Sequence, residues 1–384
     1  MRKLCLVITL LFCVMNVFCQ NRFFVTIQLP ENIDSSKLMM AYDDGKAEMP
    51  IKRYKTNRNH IEISEIFYGR MAAIILRYPK SINSQYQNSF FVSVKPARIE
   101  LDSCAPDASP FDKYKLTNAF DFKKDKEGLL DNDAEERKMI SGLLMLDSQR
   151  NDHSEDSVLS LKLNLYNVAL LEKDLTYLLK NNNSYYSFWF FRRNIVPASI
   201  RTADSLLFIF NSKFPKEFKE TEEGNTIRKR LFGRMALEAR ALAPLFTSQA
   251  IGKKKIVLSE FRGKRNVLIV FWATWCKPCL HEIPIIKQIR DKYSEKDLEI
   301  IYVGYPSDYS TYLSFIKQKK MNWTHIYNDI DLINAYGGYK AIPRIYLINT
   351  SGKIIYNKDV DDLYDEQLKN LKDMLESIIP KPIS

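Results

Sequence analysis

The stretch VFWATWCKPCLHEIP, residues 270–284, decides how this chain is read. It joins an apolar run to a segment with helical character, and Cys276 and Cys279 stand at the junction with two residues between them. Cysteines at this spacing can supply half of a metal site, form a structural disulfide or carry out redox chemistry. The choice among these three determines the function of the protein.

A metal site is disfavoured by the number of ligands. Structural zinc takes four ligands, and one Cys-x-x-Cys motif supplies two. The sequence has no second such motif, a helix would point His281 away from Cys279, and His325 and Cys104 are distant in sequence. An inert disulfide is disfavoured because the loop that it closes is too short to constrain the unfolded chain. We therefore expect no metal and no cofactor, and we interpret the pair as redox-active.

The position of Cys276 indicates how the pair reacts. Val267–Phe271 reads as a buried strand and the segment from Lys277 to about Tyr293 as a helix, so Cys276 stands at the helix N-terminus. Backbone N–H groups and the positive end of the helix dipole stabilise a thiolate at such a position, and the Lys277 charge favours it further. We expect Cys276 to be the accessible nucleophile and Cys279, one helical turn inward, to resolve the mixed disulfide.

The residues that flank this motif predict an α/β domain over 241–384. The apolar runs Leu298–Val303 and Arg344–Ile348 suit strands of a sheet that is covered on both faces. A turn at 349–352 leads into a strand at Lys353–Tyr356, and Leu363–Ile379 is amphipathic and helical. Strands on both sides of a βαβ unit are typical of this layered architecture.

Two further regions are predicted upstream. Residues 20–105 indicate a β-sandwich-like domain, because short runs of β-branched and aromatic residues alternate with turn residues. The runs are Phe23–Leu29, Lys37–Tyr42, His60–Ile66, Met71–Tyr78, Phe90–Val94 and Arg98–Leu101. Residues 106–240 change to a helical period. Helices are expected at Glu135–Leu146, Leu159–Leu179, Ser184–Asn194, Thr202–Asn211 and Asn225–Leu242. The aromatic cluster 185–191 reads as a buried helix, with an exposed partner-binding patch as the alternative.

Residues 1–19 read as a secretory signal peptide. A basic start at Arg2 and Lys3 is followed by the apolar run Leu4–Phe18 and a polar exit at Gln20. An uncleaved anchor and a lipid-modified Cys19 are the alternatives, so membrane association stays open. We expect a periplasmic or cell-envelope location.

Composition excludes two classes of protein. Removing residues 1–19 takes away Arg2 and Lys3 and no acidic residue, so the formal net charge falls from +11 to +9. The excess is spread along the chain without an aromatic platform, and we expect no nucleic-acid binding. Three of the six cysteines lie in the leader, and the remaining Cys104, Cys276 and Cys279 are too few for a disulfide scaffold.

The motif also carries a family resemblance. FWATWCKPC, residues 271–279, resembles the active-site motif of the thioredoxin superfamily. The longer stretch 258–289, ALAPLF at 241–246 and AIPRIYLINTSGKI at 341–354 resemble the TlpA-like periplasmic thiol-disulfide oxidoreductases. The resemblance covers residues 240–384 and implies a thioredoxin-like fold. A β domain and a helical region ahead of the catalytic module resemble a fusion that is common in this family.

The resemblance assigns roles to the residues around the pair. It implies that Trp275, Lys277 and Pro278 contact the client, with Trp275 shielding the cysteines and Pro278 setting the first helical turn. It implies that Pro343 follows a cis peptide bond and lies against the reactive pair. Ile342 then offers backbone groups to an extended client segment by strand addition.

One departure from thioredoxin itself concerns the buried acid. Thioredoxin has an aspartate six residues before the first cysteine, where this chain has Val270, whereas TlpA-like reductases carry a glutamate at the position of Glu282. The resemblance therefore implies that Glu282 is the catalytic proton acceptor, with a solvated helix carboxylate as the alternative. It also implies that Pro284 kinks the helix.

The leading hypothesis is an enzyme that reduces or exchanges disulfides in envelope proteins, with apocytochrome c as one candidate client. Its partners are disulfide-containing or dithiol clients and an envelope electron donor. One rival is a net oxidant of client thiols. Another is a binding or assembly protein in which the upstream regions hold a partner and the redox module is accessory.

Overall fold

The computed structural model describes residues 21–52, 54–57, 59–81, 84–105, 108–148, 157–306, 308–338, 341–362, 365 and 367–379. The predicted leader 1–19, with Cys19, lies outside the described residues. The chain forms two compact units, one ending at Phe120 and the other beginning at Asp121. No helix among the described residues is both long enough and apolar enough to cross a bilayer.

The first unit consists of two five-stranded sheets. Its strands are β1 (Asn21–Gln28), β2 (Met39–Asp43), β3 (Glu48–Pro50), β4 (Lys55–Asn57), β5 (His60–Phe67), β6 (Ala72–Ser81), β7 (Ser84–Val92), β8 (Ala97–Leu101), β9 (Tyr114–Thr117) and β10 (Ala119–Phe120). The strand orders are β4-β5-β1-β8-β9 and β10-β7-β6-β2-β3. Alternation along β1 buries Phe23, Val25 and Ile27, which share one core with Ile74 of β6 and Phe90 of β7.

One strand pair of this unit differs from the expected antiparallel arrangement. Strand β1 pairs antiparallel with β5 but parallel with β8, with Val25 opposite Ala97. Parallel pairing needs a long crossover connection, and here the chain runs through the second sheet between β5 and β8. Composition gives no signal for such a crossover.

The second unit begins with helices. They are α1 (Lys123–Asn132), α2 (Ala134–Ser148), α3 (Ser157–Lys180), α4 (Tyr185–Phe190), a π-helical turn (Phe191–Ile195), α5 (Val196–Ala198), α6 (Ala203–Lys213), α7 (Lys216–Lys219) and α8 (Glu222–Glu238). The aromatic cluster 185–191 is largely buried, which excludes the exposed patch. Its Phe188 ring stacks on Phe218, with 5.0 Å between the ring centroids.

A thioredoxin-like α/β fold completes the unit. Its elements are β11 (Thr247–Gln249), β12 (Lys255–Val257), β13 (Asn266–Trp272), α9 (Lys277–Lys292), β14 (Leu298–Gly304), α10 (Tyr309–Gln318), β15 (Thr324–Tyr327), α11 (Ile330–Ala335), β16 (Arg344–Ile348), β17 (Ile354–Asn357), α12 (Lys358–Asp361) and α13 (Lys369–Ile378). The main sheet has the order β15-β14-β13-β16-β17. Every residue of β13 is buried, as its continuous apolar sequence predicts.

The register of the main sheet determines where the segment with Cys276 and Cys279 lies. Strand β13 runs parallel to β14 and antiparallel to β16, with Phe271 opposite Arg344. The end of β13, which leads to the cysteines, therefore lies at the same edge as the start of β16, which follows Pro343. Two segments that are distant in sequence meet at this edge.

Helix α8 ends earlier than its sequence period predicts. The predicted helix continues to Leu242, but α8 ends at Glu238 and Arg240 has a left-handed φ of 48°. This reversal lets the Arg240 guanidinium donate to Asp361, at 2.6 Å, and lets Leu242 bridge to Lys353. A tertiary contact has overridden the local helical pattern.

Candidate active site

Cys276 caps the N-terminus of α9. It follows the turn after β13, has an extended backbone, and its Sγ accepts the N–H of Cys279 at 3.2 Å. Pro278 occupies the first helical turn, where its missing N–H costs no hydrogen bond. Sulfur at this position receives backbone N–H groups and the positive end of the helix dipole, which both favour a thiolate.

Cys276 and Cys279 form a disulfide, with their Cα atoms 5.3 Å apart. The expected contrast in accessibility is not present in this form, since Cys276 is 4% exposed and Cys279 is 3% exposed. The bond draws both sulfur atoms under the same surface. The assignment of Cys276 as nucleophile therefore stays a prediction that rests on its capping position.

The segment before β16 lies against the disulfide. The Ile342–Pro343 peptide bond is cis, as the resemblance implies, and the Ile342 carbonyl oxygen is 3.5 Å from Cys276 Sγ. Both residues are half-buried, so this segment is partly accessible to solvent beside the sulfur atoms. A reacting chain can approach the pair along this segment.

The opposite rim of the pair carries an exposed aromatic residue. Trp275 is 63% exposed, and its Nε1 lies 3.5 Å from the Pro306 carbonyl oxygen. Lys277 and Pro278 are exposed on the first turn of α9. The predicted contacts of these side chains with a client stay predictions.

Glu282 lies beneath the pair on the buried face of α9. It is 2% exposed, which excludes the alternative of a solvated carboxylate. Cys279 and Glu282 are three residues apart and lie on the same helical face. Glu282 Oε1 is 3.1 Å from the Nζ of Lys358, whose side chain is also largely buried. The ammonium stabilises the carboxylate form, which is the form that accepts a proton.

The negative charge of Glu282 also acts on the phenol groups of Tyr302 and Tyr356. Burial, together with the negative charge of Glu282, raises the pKa of Tyr302 well above its usual value. The pKa of Tyr356 is raised by burial, by its hydrogen bond to Asp362, and by the charges of Asp362 and Glu282. Neither phenol ionises near neutral pH. The role of Glu282 as a proton acceptor stays a prediction.

The remaining residues considered from the sequence have the following surroundings. Val270 is buried in β13 and opposite Tyr302 and Ile345. His281 is exposed on α9, His325 is buried among aromatic rings, and Cys104 is a free thiol of the first unit. Across the described ranges, no group of three or more His, Cys, Asp or Glu side chains could hold a metal. Pro284 lies inside α9, and its predicted kink stays a prediction.

Sequence reasoning missed two cations near the pair, the buried Arg344 and the largely buried Lys358. Lys358 begins α12, at the end of β17, and Arg344 begins β16 directly after Pro343. Both are at the ends of elements where a charged residue is ordinarily exposed. Their position in the sequence contains no signal that would indicate burial.

The part of the chain that carries the disulfide resembles known proteins. Residues 238–375 match the Redoxin family model. The chain is 34% identical over 140 residues to the thiol-disulfide oxidoreductase ResA of Bacillus thuringiensis, covering 36% of this chain and 77% of the relative. It is 29% identical over 134 residues to the ResA of Bacillus subtilis strain 168, covering 34% of this chain and 74% of that one.

Two solved structures are similar to about a third of the chain. The thioredoxin domain of a thiol-disulfide oxidoreductase from Bacteroides vulgatus is 21% identical and has a TM-score of 0.31, covering 35% of this chain and 95% of that one. A thiol:disulfide interchange protein from Bacteroides sp. is 22% identical and has a TM-score of 0.30, with 35% and 86% covered.

Proposed function

This chain belongs to the ResA-like thiol-disulfide oxidoreductases, and on that basis we propose that it reduces or exchanges disulfides of proteins in the cell envelope. One observation supports the proposal most strongly. The Cys276–Cys279 disulfide caps α9, and the Ile342 carbonyl oxygen lies 3.5 Å from Cys276 Sγ. A redox-active bond and a segment suited to hold an extended chain are thus adjacent.

The proposed reduction begins from the dithiol form. The Cys276 thiolate attacks one sulfur of a client disulfide, which forms a mixed disulfide and releases the other client sulfur as a thiolate that takes up a proton. The N-terminus of α9 stabilises the attacking thiolate. Lys277, exposed in the first turn, adds positive charge at the same position.

The second step closes the protein disulfide. Glu282 accepts the proton of Cys279, and the resulting thiolate attacks Cys276 Sγ. The Cys276–Cys279 bond forms, the mixed disulfide breaks, and the second client sulfur leaves and is protonated. Two electrons have passed from the protein dithiol to the client. A dithiol donor of the envelope must return them before the next cycle.

We assign client contacts to the residues that surround the disulfide. Ile342 supplies backbone groups for strand addition, and Pro343 holds that backbone beside the sulfur atoms. Trp275 offers a large exposed ring on the other rim, and Pro278 is exposed beside it. The open backbone and the aromatic rim suit an unfolded chain, and apocytochrome c is one candidate client.

The remaining parts of the chain complete the proposal. Residues 1–19 act as a signal peptide, and residues 241–384 carry catalysis. The boundary expected at residue 105 moves to Phe120, because β9 and β10 belong to the sheets of the first unit. Residues 20–120 thus form the β-sandwich-like domain, and residues 121–240 form the helical region. The shared core of the two sheets supports the sandwich. The leader supports an envelope location.

Insulin reduction with dithiothreitol as donor tests the activity. The wild type should accelerate precipitation of the insulin B chain, and Cys276→Ser should not. A variant with both cysteines replaced by serine that retains its full role in cells would favour the binding or assembly hypothesis. Wild-type protein that leaves the insulin disulfides intact would contradict the proposal.

A further inference from the structure

The cis-proline segment is tied to two neighbouring loops by one buried guanidinium. Arg344 follows Pro343 directly and is 1% exposed. Its NH1 donates to the Tyr336 carbonyl oxygen at 2.6 Å. Its NH2 donates to the Gly338 carbonyl oxygen at 2.9 Å and to the Tyr305 hydroxyl at 2.6 Å. The position of the client-binding backbone therefore depends on the segment 336–338.

Helix α8, from the helical region, supports that segment from the other side. Arg230 is buried, and its Nε donates to Asn334 Oδ1 at 2.7 Å. Its NH1 donates to the Arg192 carbonyl oxygen at 3.0 Å, which anchors the same guanidinium within the helical region. A Cβ atom on Gly338 would lie 2.7 Å from Arg230 Nε, so the side chain packs directly on that backbone.

The backbones of the two regions also touch. A Cβ atom on Gly233 would lie 2.0 Å from the Ala335 carbonyl oxygen, and one on Gly337 would lie 3.0 Å from Arg234 Cγ. Gly337 and Gly338 both have left-handed φ values, which glycine adopts without strain. This close approach leaves the segment little freedom to move away from α8.

We propose that α8 is a positioning element for disulfide exchange, and that Arg230 is its principal positioning residue. Arg230 holds residues 334–338, Arg344 transmits their position to the Ile342–Pro343 backbone, and that backbone sets how a protein client meets Cys276. The inference rests on the proposed function and assigns a role in catalysis to the helical region. The cysteine chemistry itself does not pass through these contacts.

This positioning role should affect the reduction of protein substrates but not of small disulfides. A protein client needs the strand-addition backbone, whereas oxidised glutathione needs access to the sulfur atoms alone. Arg230→Leu should lower kcat/KM for insulin about tenfold, chiefly through KM, since displacement of a binding element by a fraction of an ångström carries penalties of this order. Its rate with oxidised glutathione should stay within about twofold of the wild-type rate. Its redox potential should equal that of the wild type.

Matched variants make the test specific. Arg228→Leu removes the same kind of side chain from the same helix, but Arg228 donates to Lys219 and Asn225 within the helical region, so both activities should be retained. Arg230→Lys keeps the charge and should recover part of the insulin activity. Asn334→Ala removes the acceptor, and combining it with Arg230→Leu should add little further loss.

Each outcome decides the inference. Unchanged insulin kinetics in Arg230→Leu would overturn it, and so would a parallel loss of insulin and glutathione activity, which would indicate a general role in folding. A loss in Arg228→Leu equal to that in Arg230→Leu would also overturn it. A wild type that reduces neither substrate would overturn the proposed function together with this inference.

Discussion

Because His325 is buried, we expect the protein to lose stability in mild acid, and we expect the substitution His325→Gln to remove this loss. Burial among aromatic rings lowers the pKa of His325 from 6.5 to about 4, and its hydrogen bond to the Met321 carbonyl oxygen only partly opposes the shift. The surrounding rings belong to Trp272, Tyr302, Tyr312 and Trp323. The folded protein therefore holds this imidazole neutral where the unfolded chain protonates it.

The direction and size of this stability change follow from the difference in proton binding between the folded and unfolded states. Because the unfolded state binds the extra proton, stability falls as the pH drops below the unfolded value of 6.5 and levels off below the folded value of about 4. At pH 5 the penalty is about 2 kcal/mol, and below pH 4 it approaches about 3.4 kcal/mol, from about 1.36 kcal/mol per unit of pKa.

Urea unfolding at pH 7.5 and pH 5 measures this penalty. All four tryptophans lie after residue 120, so their fluorescence reports on the second unit. His325→Gln retains an N–H donor toward Met321 and does not titrate. The wild type should lose about 2 kcal/mol more than His325→Gln between the two pH values. His281→Gln, at an exposed position of α9, serves as the control and should behave as the wild type.

Comparing the wild type with His325→Gln isolates the contribution of the imidazole to the free energy of unfolding, because the other titrating groups contribute equally in both proteins. Equal losses in the wild type and in His325→Gln would refute the reasoning, since they would show that the buried ring is not the group that takes up the proton.

Four further predictions concern charge and redox balance. Burial, and then the hydrogen bond and charge of Asp133, raise the pKa of Asp174 to about 8, so this carboxyl destabilises the fold progressively as the pH rises from its unfolded value toward 8. Asp174→Asn should therefore unfold at higher urea than the wild type at pH 9, and the advantage should disappear at pH 4. Glu282→Gln should slow insulin reduction and shift the pH dependence of thiol alkylation, and an unchanged profile would leave Glu282 without a role in proton transfer. Lys358→Met should cost about 3–5 kcal/mol of stability by removing the ammonium beside a buried carboxylate, with partial recovery when Glu282→Gln is added. The redox couple should lie between about -270 mV, the value of thioredoxin, and about -120 mV, the value of a strong oxidant; equilibration with glutathione checks this, and a value at the upper end would favour the net oxidant.

Sequence reasoning succeeded where a local pattern determines the structure. The apolar run of β13 predicted a strand buried on both faces. The change from this run to a helical segment predicted that Cys276 lies at a helix N-terminus. The cis bond before Pro343 came from the family resemblance, since an isolated proline gives no such indication.

The features that were missed depend on contacts between distant segments. Glu282 stabilises the largely buried Lys358, and backbone carbonyl groups stabilise the buried Arg344. Periodicity in the sequence does not indicate such partners. The early end of α8 depends on Arg240 reaching Asp361, which is more than a hundred residues away. These contacts connect the pair to the rest of the unit, and only the structure reveals them.

The order of attack by the two cysteines is the central claim, and trapping in cells tests it most directly. If Cys276 attacks and Cys279 resolves, Cys279→Ser should accumulate mixed disulfides with its clients through Cys276, and Cys276→Ser should accumulate almost none. Non-reducing gels of envelope fractions display these adducts, and mass spectrometry identifies the clients. Equal trapping by both variants, or adducts that persist without Cys276 and vanish on loss of Cys104, would contradict the account.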